Sequence, residues 1–551
     1  KIAHLSDILD RLNRWEHEEK ERPYFLWHTY FKDIFDKGKF DIIIGNPPYI
    51  KEYTNRKAFD GIRESPYYMG KMDIWYFFAC FCIDMLKDNG GIQCLIAQSN
   101  WITSSGAAKL RNKIVQETEM LSFIDFGNYK VFQSAGIQTM IYVVKKTTPR
   151  EKYTTNYARL LVDNIDKTFL DYFLQSDATT THENFERLNF EFVPASYADG
   201  YITFANDTND YILKKIQGIQ HTKLLEKEVA QGIVFPQDFL NKKSAEKLGE
   251  GFKVGNGVFA LNTTELKSLQ LSKNEEAIIK PYFTTDQFTR FYAKNENDYW
   301  LIYTDSSFKK QETINHYPNI KRHLDKFAKV ITSDNYPYGL HRAREERFFK
   351  NEKIIVQRKC PGRPIFTYAN FDTYVSATFF LIQTERANLK YLTALLNSKL
   401  VAFWLRSKGK MQGNNYQIDK EPLLEIPIAL SDKQQIIATL VDYILLVHQP
   451  RKEQLIKYIG DDLIIHSFDE VIDQAFYEIY FGAEPEMAEL QVLKYLENIK
   501  PISEDYEDAD IETVVKFYHW LHEQTNPVRT TLLKANIVSK HIIGVINSTI
   551  S

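Results

Sequence analysis

The fold is decided by residues 40 to 49, which read FDIIIGNPPY. Phe40 to Ile44 is apolar and rich in β-branched residues, which predicts a short buried strand that ends at Gly45. Asn46 is followed by two prolines, which can neither continue a strand ladder nor enter a helix interior, so the backbone leaves the sheet rigidly. An amide, a donor-free prolyl backbone and an aromatic ring therefore lie at the carboxyl end of a strand, where open α/β sheets bind ligands.

These groups suit the methylation of an exocyclic amine. Such an amine is a weak nucleophile because its lone pair is delocalised into the ring, so it needs acceptors for its N–H bonds rather than a strong base. Asn46 Oδ1 and the carbonyl of Pro47 can both accept, and Tyr49 can hold the base by stacking. Asn-Pro-Pro-Tyr after an apolar strand resembles motif IV of the amino-methyltransferases, specifically the N6-adenine class. The alternative is an ordinary turn that ends a strand.

The pattern after this motif matches the second half of a methyltransferase sheet. A helix is predicted from Ile74 to Leu86 with Asp73 as its cap, and a strand from Ile92 to Ala97. The loop at 129–133 resembles motif VIII of the same family, which implies that Phe132 stacks on the second face of an extruded adenine. The alternative for Phe132 is a core residue in a hairpin.

The first 39 residues predict a helix from Ile8 to Glu21 but contain no Gly-rich turn of the kind that holds S-adenosylmethionine in this family. We therefore expect the chain to correspond to the part of such an enzyme from motif IV to the C-terminus. Asn46 and Pro48 would supply a partial cofactor site. The affinity for S-adenosylmethionine is expected to be millimolar or lost, so that the chain alone binds duplex DNA but does not methylate it.

A second region begins near residue 209, where Gly-punctuated strand segments replace the earlier pattern. A long amphipathic helix is predicted from Leu389 to Ser407. Its segment Leu-Asn-Ser-Lys-Leu at 396–400, with the basic loop and Ile426-Pro427 that follow, resembles the TaqI-type C-terminal specificity domain. That domain follows the catalytic motifs in adenine methyltransferases of the gamma order, and the same order is present here.

Two basic segments lie in this region. Residues 341–364 contain eight Lys and Arg residues against three Glu, with aromatic residues between them. Arginines at this density suit phosphate contacts and base reading, although a charge run is also typical of a solvated face. We predict contacts with double-stranded DNA from the following residues: Arg342, Arg344, Arg347, Arg358, Lys359, Arg363, Lys408 and Lys410.

The C-terminal region predicts further helices, which would serve as a partner or clamp. Capping boxes are predicted to begin helices at Ser431 and at Ser467. The expected fold class is α/β, with a partial Rossmann-like methyltransferase sheet, an α+β specificity domain and a helical C-terminal region. The predicted domains are 1–208, 209–430 and 431–551.

Composition limits the possible functions. The chain has 551 residues, 44% hydrophobic content and a net charge of −3, so any surface for nucleic acid must be local. Four cysteines without a CxxC pair suggest a reducing compartment, and the 13 histidines show no zinc spacing. The longest apolar run is too short for a bilayer. We expect a cytoplasmic prokaryotic protein without a metal site or membrane contact, and the sequence does not predict its oligomeric state.

The resemblance as a whole is to type IIG restriction-modification enzymes, which join nuclease, methyltransferase and specificity domains in one polypeptide. It implies transfer of methyl from S-adenosylmethionine to a flipped-out adenine, with Mg²⁺ required only if a nuclease is present. No nuclease metal motif is evident, since Glu18-Glu19-Lys20 fits only its last triplet. The alternatives are a nuclease-free phage-defence methyltransferase, a methyltransferase for RNA or protein glutamine, and a DNA-recognition fragment that is inactive by itself.

Overall fold

The computed structural model describes residues 25–132, 137–177, 180, 182–202, 204, 207–412, 415–451, 453–503 and 505–550. The predicted helix from Ile8 to Glu21 lies outside the described residues, as does Gln133. The chain divides into two compact units, Lys1–Phe204 and Ala205–Ser551. The predicted domain boundary at 208/209 falls close to this division.

The first unit contains one mixed sheet of six strands, in the order β1-β2-β4-β3-β5-β6. Parallel pairs join β1 to β2 and β3 to β5, and the other neighbours are antiparallel. The strands are β1 Ile42–Gly45, β2 Ile92–Gln98, β3 Thr118–Asp125, β4 Thr139–Lys146, β5 Tyr153–Leu160 and β6 Phe185–Phe192. The helices are α1 Trp27–Tyr30, α2 Lys32–Asp36, α3 Ile74–Met85, α4 Ala108–Glu117 and α5 Lys167–Gln175.

The strand β1 forms where the sequence predicts it, but it is not buried. Among the described residues it is an edge strand with only β2 beside it. Ile42 and Ile44 are 65% and 77% exposed, respectively. The other face of the sheet carries Leu95, Tyr142 and their neighbours, which pack with α3 and α4 in one hydrophobic core. The prediction of a buried strand is therefore wrong at β1, because apolar composition does not reveal an edge position.

The second unit contains three sheets, with strand orders β10-β14-β12-β16-β7, β15-β9-β11-β8 and β13-β18-β17. Its first strands are β7 Val229–Gln231, β8 Ala260–Asn262, β9 Ile279–Phe283, β10 Phe291–Tyr292, β11 Tyr299–Ile302 and β12 Lys353–Gln357. Its remaining strands are β13 Lys359–Cys360, β14 Phe366–Ala369, β15 Tyr374–Val375, β16 Phe379–Ile382, β17 Lys410–Gln412 and β18 Asn415–Gln417. The α/β fold class predicted from the sequence is confirmed.

The helices of the second unit are numbered on from α5. The first seven are α6 Asp207–Gly218, α7 Lys242–Leu248, α8 Thr263–Ser268, α9 Lys273–Glu276, α10 Gln311–Ile314, α11 Pro318–Asp325 and α12 Leu389–Asn397. The others are α13 Lys399–Lys408, α14 Lys420–Leu424, α15 Gln434–His448, α16 Asp461–Phe481, α17 Asp508–Leu521, α18 Pro527–Val538 and α19 Val545–Ile550. One hydrophobic core includes side chains of α12, α13, α15 and α16, so the C-terminal helices share the core of the specificity region.

Three predicted helix boundaries are wrong. The helix predicted from Leu389 to Ser407 breaks at Ser398, whose side chain caps α13 by accepting from Val401 N. Ser467 lies inside α16, which begins six residues earlier, and donates to Leu463 O instead of capping. The helix after Ser431 begins at Gln434 without a side-chain cap. A local cap thus sets the boundary at Ser398, whereas the predicted caps at Ser431 and Ser467 do not form.

Candidate active site and candidate nucleic-acid interface

The loop at 46–49 follows directly from β1, whose last residue Gly45 lies beside Leu95 of β2. Asn46 and Pro48 are exposed, whereas Pro47 is buried. The hydroxyl of Tyr49 lies 2.6 Å from Asn46 Oδ1 and 2.9 Å from the carbonyl oxygen of Ile96, and it can donate to either. Tyr49 is thus tied to the end of β2, and the carboxamide of Asn46 is presented to solvent.

A buried carboxylate fixes the end of this loop. Asp73 Oδ1 accepts from Ile50 N at 3.1 Å, and two backbone hydrogen bonds, Ile74 N to Ile50 O and Glu52 N to Met72 O, complete the clamp. Asp73 occupies the N-cap position of α3, but its side chain makes no capping bond there. Burial raises the pKa of Asp73, although amide donors and Lys51 oppose this, and its Oδ2 atom has no partner among the described residues.

The phenol of Tyr49 stays neutral at any physiological pH. Burial raises the pKa of Tyr49 to about 12, and the charge of Asp73 adds to this effect. A neutral phenol can donate a hydrogen bond and offers an uncharged ring face for stacking.

The structure brings Phe132 next to Tyr49, although 83 positions separate them in the sequence. Their ring centroids lie 6.5 Å apart and their planes are inclined by 52°. Both rings are partly exposed. The distance is near the upper end of direct aromatic contact, about 4.5–7 Å, so the rings are neighbours that do not stack on each other.

The residues predicted to contact DNA fall into two groups. The first group, Arg347, Arg358 and Arg363, is engaged within the protein. All three guanidinium nitrogens of Arg358 have protein acceptors: Ile418 O, Ala377 O and Asp419. Arg363 donates to Asp469 and to Asn397 O. Arg347 is exposed but pairs with Glu345 at 2.8 Å.

The second group projects into solvent or is only partly engaged. Arg342 and Lys359 are exposed, and no carboxylate among the described residues pairs with them. Arg344 is half-buried and bonds to neutral oxygens of Gln231 and Gly232. Lys408 is half-buried, and burial lowers its pKa. Lys410 begins β17, and its side chain is outside the described structure.

The sequence did not reveal the acidic pair that holds Arg363. Asp469 and Asp473 of α16 are each 3% exposed. Asp469 pairs with Arg290 at 2.7 Å and with Arg363 at 3.0 Å, and these arginines keep its pKa low although burial acts to raise it. Two acids spaced i, i+4 on the apolar face of a helix were the signal that could have revealed the pair.

In the described part of the chain, no group of three or more His, Cys, Asp or Glu side chains could hold a metal ion. None of the described helices has both the length and the apolar character needed to cross a bilayer.

Two segments of the chain match known protein families. Residues 2–132 match the family described as Eco57I restriction-modification methylase, and residues 280–428 match the TaqI-like C-terminal specificity domain. Each match covers about a quarter of the chain, so these two segments are similar to a restriction-modification methylase and to a TaqI-like specificity domain. The segment 2–132 contains the loop at 46–49 and Phe132, and the segment 280–428 contains the basic segment 341–364.

Relatives of this chain are named as methyltransferases or as combined restriction enzymes and methyltransferases. The type II methyltransferase M.HindII of Haemophilus influenzae is 24% identical over 439 residues, which cover 74% of this chain and 78% of the relative. A putative type II restriction enzyme and methyltransferase of Methanocaldococcus jannaschii, RM.MjaORFECS2P, is 23% identical over 96% of this chain but only 38% of its own length. The solved complex of the type IIL enzyme MmeI with DNA has a TM-score of 0.44 at 11% identity, covering 94% of this chain and 58% of that chain.

Proposed function

We propose that the chain is the base-flipping and DNA-recognition part of a site-specific DNA adenine-N6 methyltransferase. The observation that carries this proposal is the arrangement at the end of β1, where the exposed Asn46 carboxamide lies 2.6 Å from the hydroxyl of Tyr49 and the ring of Phe132 neighbours the ring of Tyr49. The names of the relatives, type II methyltransferases, support a role in restriction-modification.

We assign to the loop the role of accepting hydrogen bonds from the amine of adenine. The loop does not act as a base that removes a proton. The exocyclic amine of adenine would donate one N–H to Asn46 Oδ1 and the other to the carbonyl of Pro47. These bonds draw the nitrogen lone pair out of conjugation with the ring. The Tyr49 hydroxyl can occupy one lone pair of Asn46 Oδ1 and thereby orient the amide, because the two atoms lie 2.6 Å apart.

Adenine must leave the duplex stack to reach this loop, since its amine is inaccessible within the helix. The rings of Tyr49 and Phe132 lie 6.5 Å apart, and rotation of these tilted rings would place a planar base between them. Stacking on each ring is worth about 1–3 kcal/mol, which offsets the cost of unstacking the base.

S-adenosylmethionine is the methyl donor that the methylase family implies, and when bound it supplies an electrophilic methyl group. The exposed Asn46 and Pro48 fit one wall of its site, next to the amine. The described residues provide this wall alone, because β1 is the edge strand of its sheet. Asn46 and Pro48 would therefore orient the donor, and Tyr49 would exclude water from the base.

Recognition of duplex DNA is assigned to the second unit. The name of the family that residues 280–428 match, a specificity domain, supports this assignment. Arg342, Arg344 and Lys359 keep positive charge at the surface, as phosphate and base contacts require. We place the protein in the type IIG context; Mg²⁺ would matter only if a nuclease accompanies these domains.

Substitution of Asn46 tests the proposal directly. The purified product of the complete gene, incubated with donor and DNA, should place N6-methyladenine within one sequence motif. Asn46→Ala should reduce methyl transfer at least about a hundredfold, as removal of one preorganised hydrogen-bonding group does in other enzymes. Its affinity for DNA should be unchanged. Methyl transfer by Asn46→Ala within tenfold of the wild type would refute the assignment.

A further inference from the structure

Arg344 differs from the other arginines of the basic segment because neutral oxygens hold its guanidinium. Its Nε lies 3.3 Å from Gly232 O, and its Nη2 lies 2.9 Å from Gln231 Oε1. No carboxylate among the described residues pairs with it. Burial lowers the pKa of Arg344, and so does the neighbouring charge of Arg342. Because its two acceptors are uncharged, the guanidinium has no counter-charge in the part of the chain that the structure describes.

The two bonds occupy only one edge of the guanidinium. Nε and Nη2 form its side edge, which faces the protein oxygens. Within the described structure, no protein atom accepts from Nη1. The end edge, with one N–H from Nη1 and one from Nη2, is therefore available for two parallel hydrogen bonds. Guanine presents O6 and N7 in the major groove with the spacing that suits such a pair of donors.

The backbone of Arg344 is held in place as well. Its φ is +72°, a left-handed conformation that a residue with a side chain rarely adopts and that recurs at ligand-binding sites. The hydroxyl of Tyr303 donates to Arg344 O at 3.0 Å. Two residues earlier, Arg342 exchanges backbone hydrogen bonds with Val234. The neighbouring chain segments thus fix both ends of this short stretch.

Gln231 is fixed in turn, so it can hold Arg344 in one plane. Its Nε2 donates to Ala377 O at 3.1 Å, while its Oε1 accepts from Arg344. The adjacent Gly232 passes so close to the neighbouring segment that a Cβ there would lie 2.1 Å from Ser376 O. The strand end that carries Gln231 has no room to shift.

Arg358 shows what an arginine with a purely structural role looks like in the same network. It also donates to Ala377 O, but its other nitrogens reach Ile418 O and Asp419, so no edge is left for a ligand. Its guanidinium also lies over the ring of Phe380 at 4.8 Å.

We propose that Arg344 reads a guanine in the major groove of the recognition site and that Gln231 is the residue that positions it. This inference rests on the proposed function, namely that the second unit recognises duplex DNA. A base is favoured over a phosphate because a phosphate contact needs only charge, whereas base reading needs a guanidinium held in a fixed plane.

The test is selection from a library of random duplexes, carried out with the full 551-residue chain and its variants. The wild type should select a motif that contains an invariant G·C pair. Arg344→Lys keeps the charge but loses the fork of donors, so the preference at that one pair should fall about 5- to 150-fold, while the rest of the motif is unchanged. Arg322→Lys, at an exposed arginine outside the basic segment, is the matched control and should select the wild-type motif.

The possible outcomes separate this inference from the proposed function. If the wild type selects no sequence, DNA recognition by this chain fails as a whole. If Arg344→Lys selects the wild-type motif, or loses affinity evenly for all sequences, the assignment to base reading is overturned. If thermal melting shows that Arg344→Lys does not fold, Gln231→Ala decides: the preference at the same pair should weaken, and an unchanged preference overturns the inference.

Discussion

The loop at 46–49 and the basic segment 341–364 both stand out in the sequence, but the fold treats them differently. In the loop, consecutive residues lie at one strand end, and Phe132 joins them at 6.5 Å from Tyr49. In the basic segment, consecutive cations point to unrelated partners. Arg363 is sequestered against Asp469, whereas Arg342, 21 positions earlier, is exposed.

The difference has a physical cause. Two prolines and a strand end restrict the backbone of the loop, so the local sequence determines most of its geometry. A long charged side chain pairs with whatever carboxylate the fold brings near, and that carboxylate can be distant in sequence, as Asp469 is from Arg363. Charge density in a sequence therefore does not predict charge at a surface.

The largest expected effect concerns the sequestered cations. Asp469→Ala leaves Arg290 and Arg363 without their shared buried partner, which should lower the free energy of unfolding by about 3–5 kcal/mol in denaturant titrations.

The matched control is Asp419→Ala, which breaks the ion pair with Arg358. Both side chains of that pair are about 30% exposed, at 26% and 32%, so solvent screens the interaction and the loss should be about 1 kcal/mol or less. Equal losses in the two variants would contradict the distinction between a buried and a partly exposed ion pair.

The sequence predicted the strands and helices around the loop at 46–49 better than the helix boundaries of the second unit. The predicted strand before Asn46 and the helix after Asp73 are present at Ile42–Gly45 and Ile74–Met85. The break at Ser398 was not predicted, because the side chain of Asn397 bonds to the backbone of Phe366, 31 residues away. Long-range hydrogen bonds of this kind leave no local periodicity. The roles of the site residues stay predictions.

A smaller effect is expected at the clamp of the catalytic loop. Asp73→Ala removes the acceptor of Ile50 N and should destabilise the protein by about 1 kcal/mol. Asp73→Asn keeps an acceptor. Because burial raises the pKa of Asp73, its charge opposes folding at neutral pH, so the asparagine variant should be at least as stable as the wild type. Destabilisation by Asp73→Asn in thermal melts would contradict this account of the clamp.

The smallest effect concerns an open cation. Arg342→Ala should weaken DNA binding evenly across sequences and reduce the slope of log affinity against log salt by about 0.9, the contribution of one phosphate contact. Arg363→Ala, if folded, should leave the slope unchanged, because Asp469 and Asp473 already neutralise that charge. The slopes are measured by fluorescence-anisotropy titrations of DNA. An unchanged slope for Arg342→Ala with a reduced slope for Arg363→Ala would assign the phosphate contact to Arg363 instead of Arg342.

Base flipping is the most direct measurement of the central claim, that the end of β1 with Asn46, Tyr49 and Phe132 receives an extruded adenine. Duplexes with the selected site would carry the fluorescent analogue 2-aminopurine in place of each adenine in turn. Emission should rise at one position with the wild-type chain and should fall when Tyr49→Ala or Phe132→Ala removes a stacking face. If DNA binds but emission rises at no position, or rises equally with both variants, the end of β1 is not the adenine site.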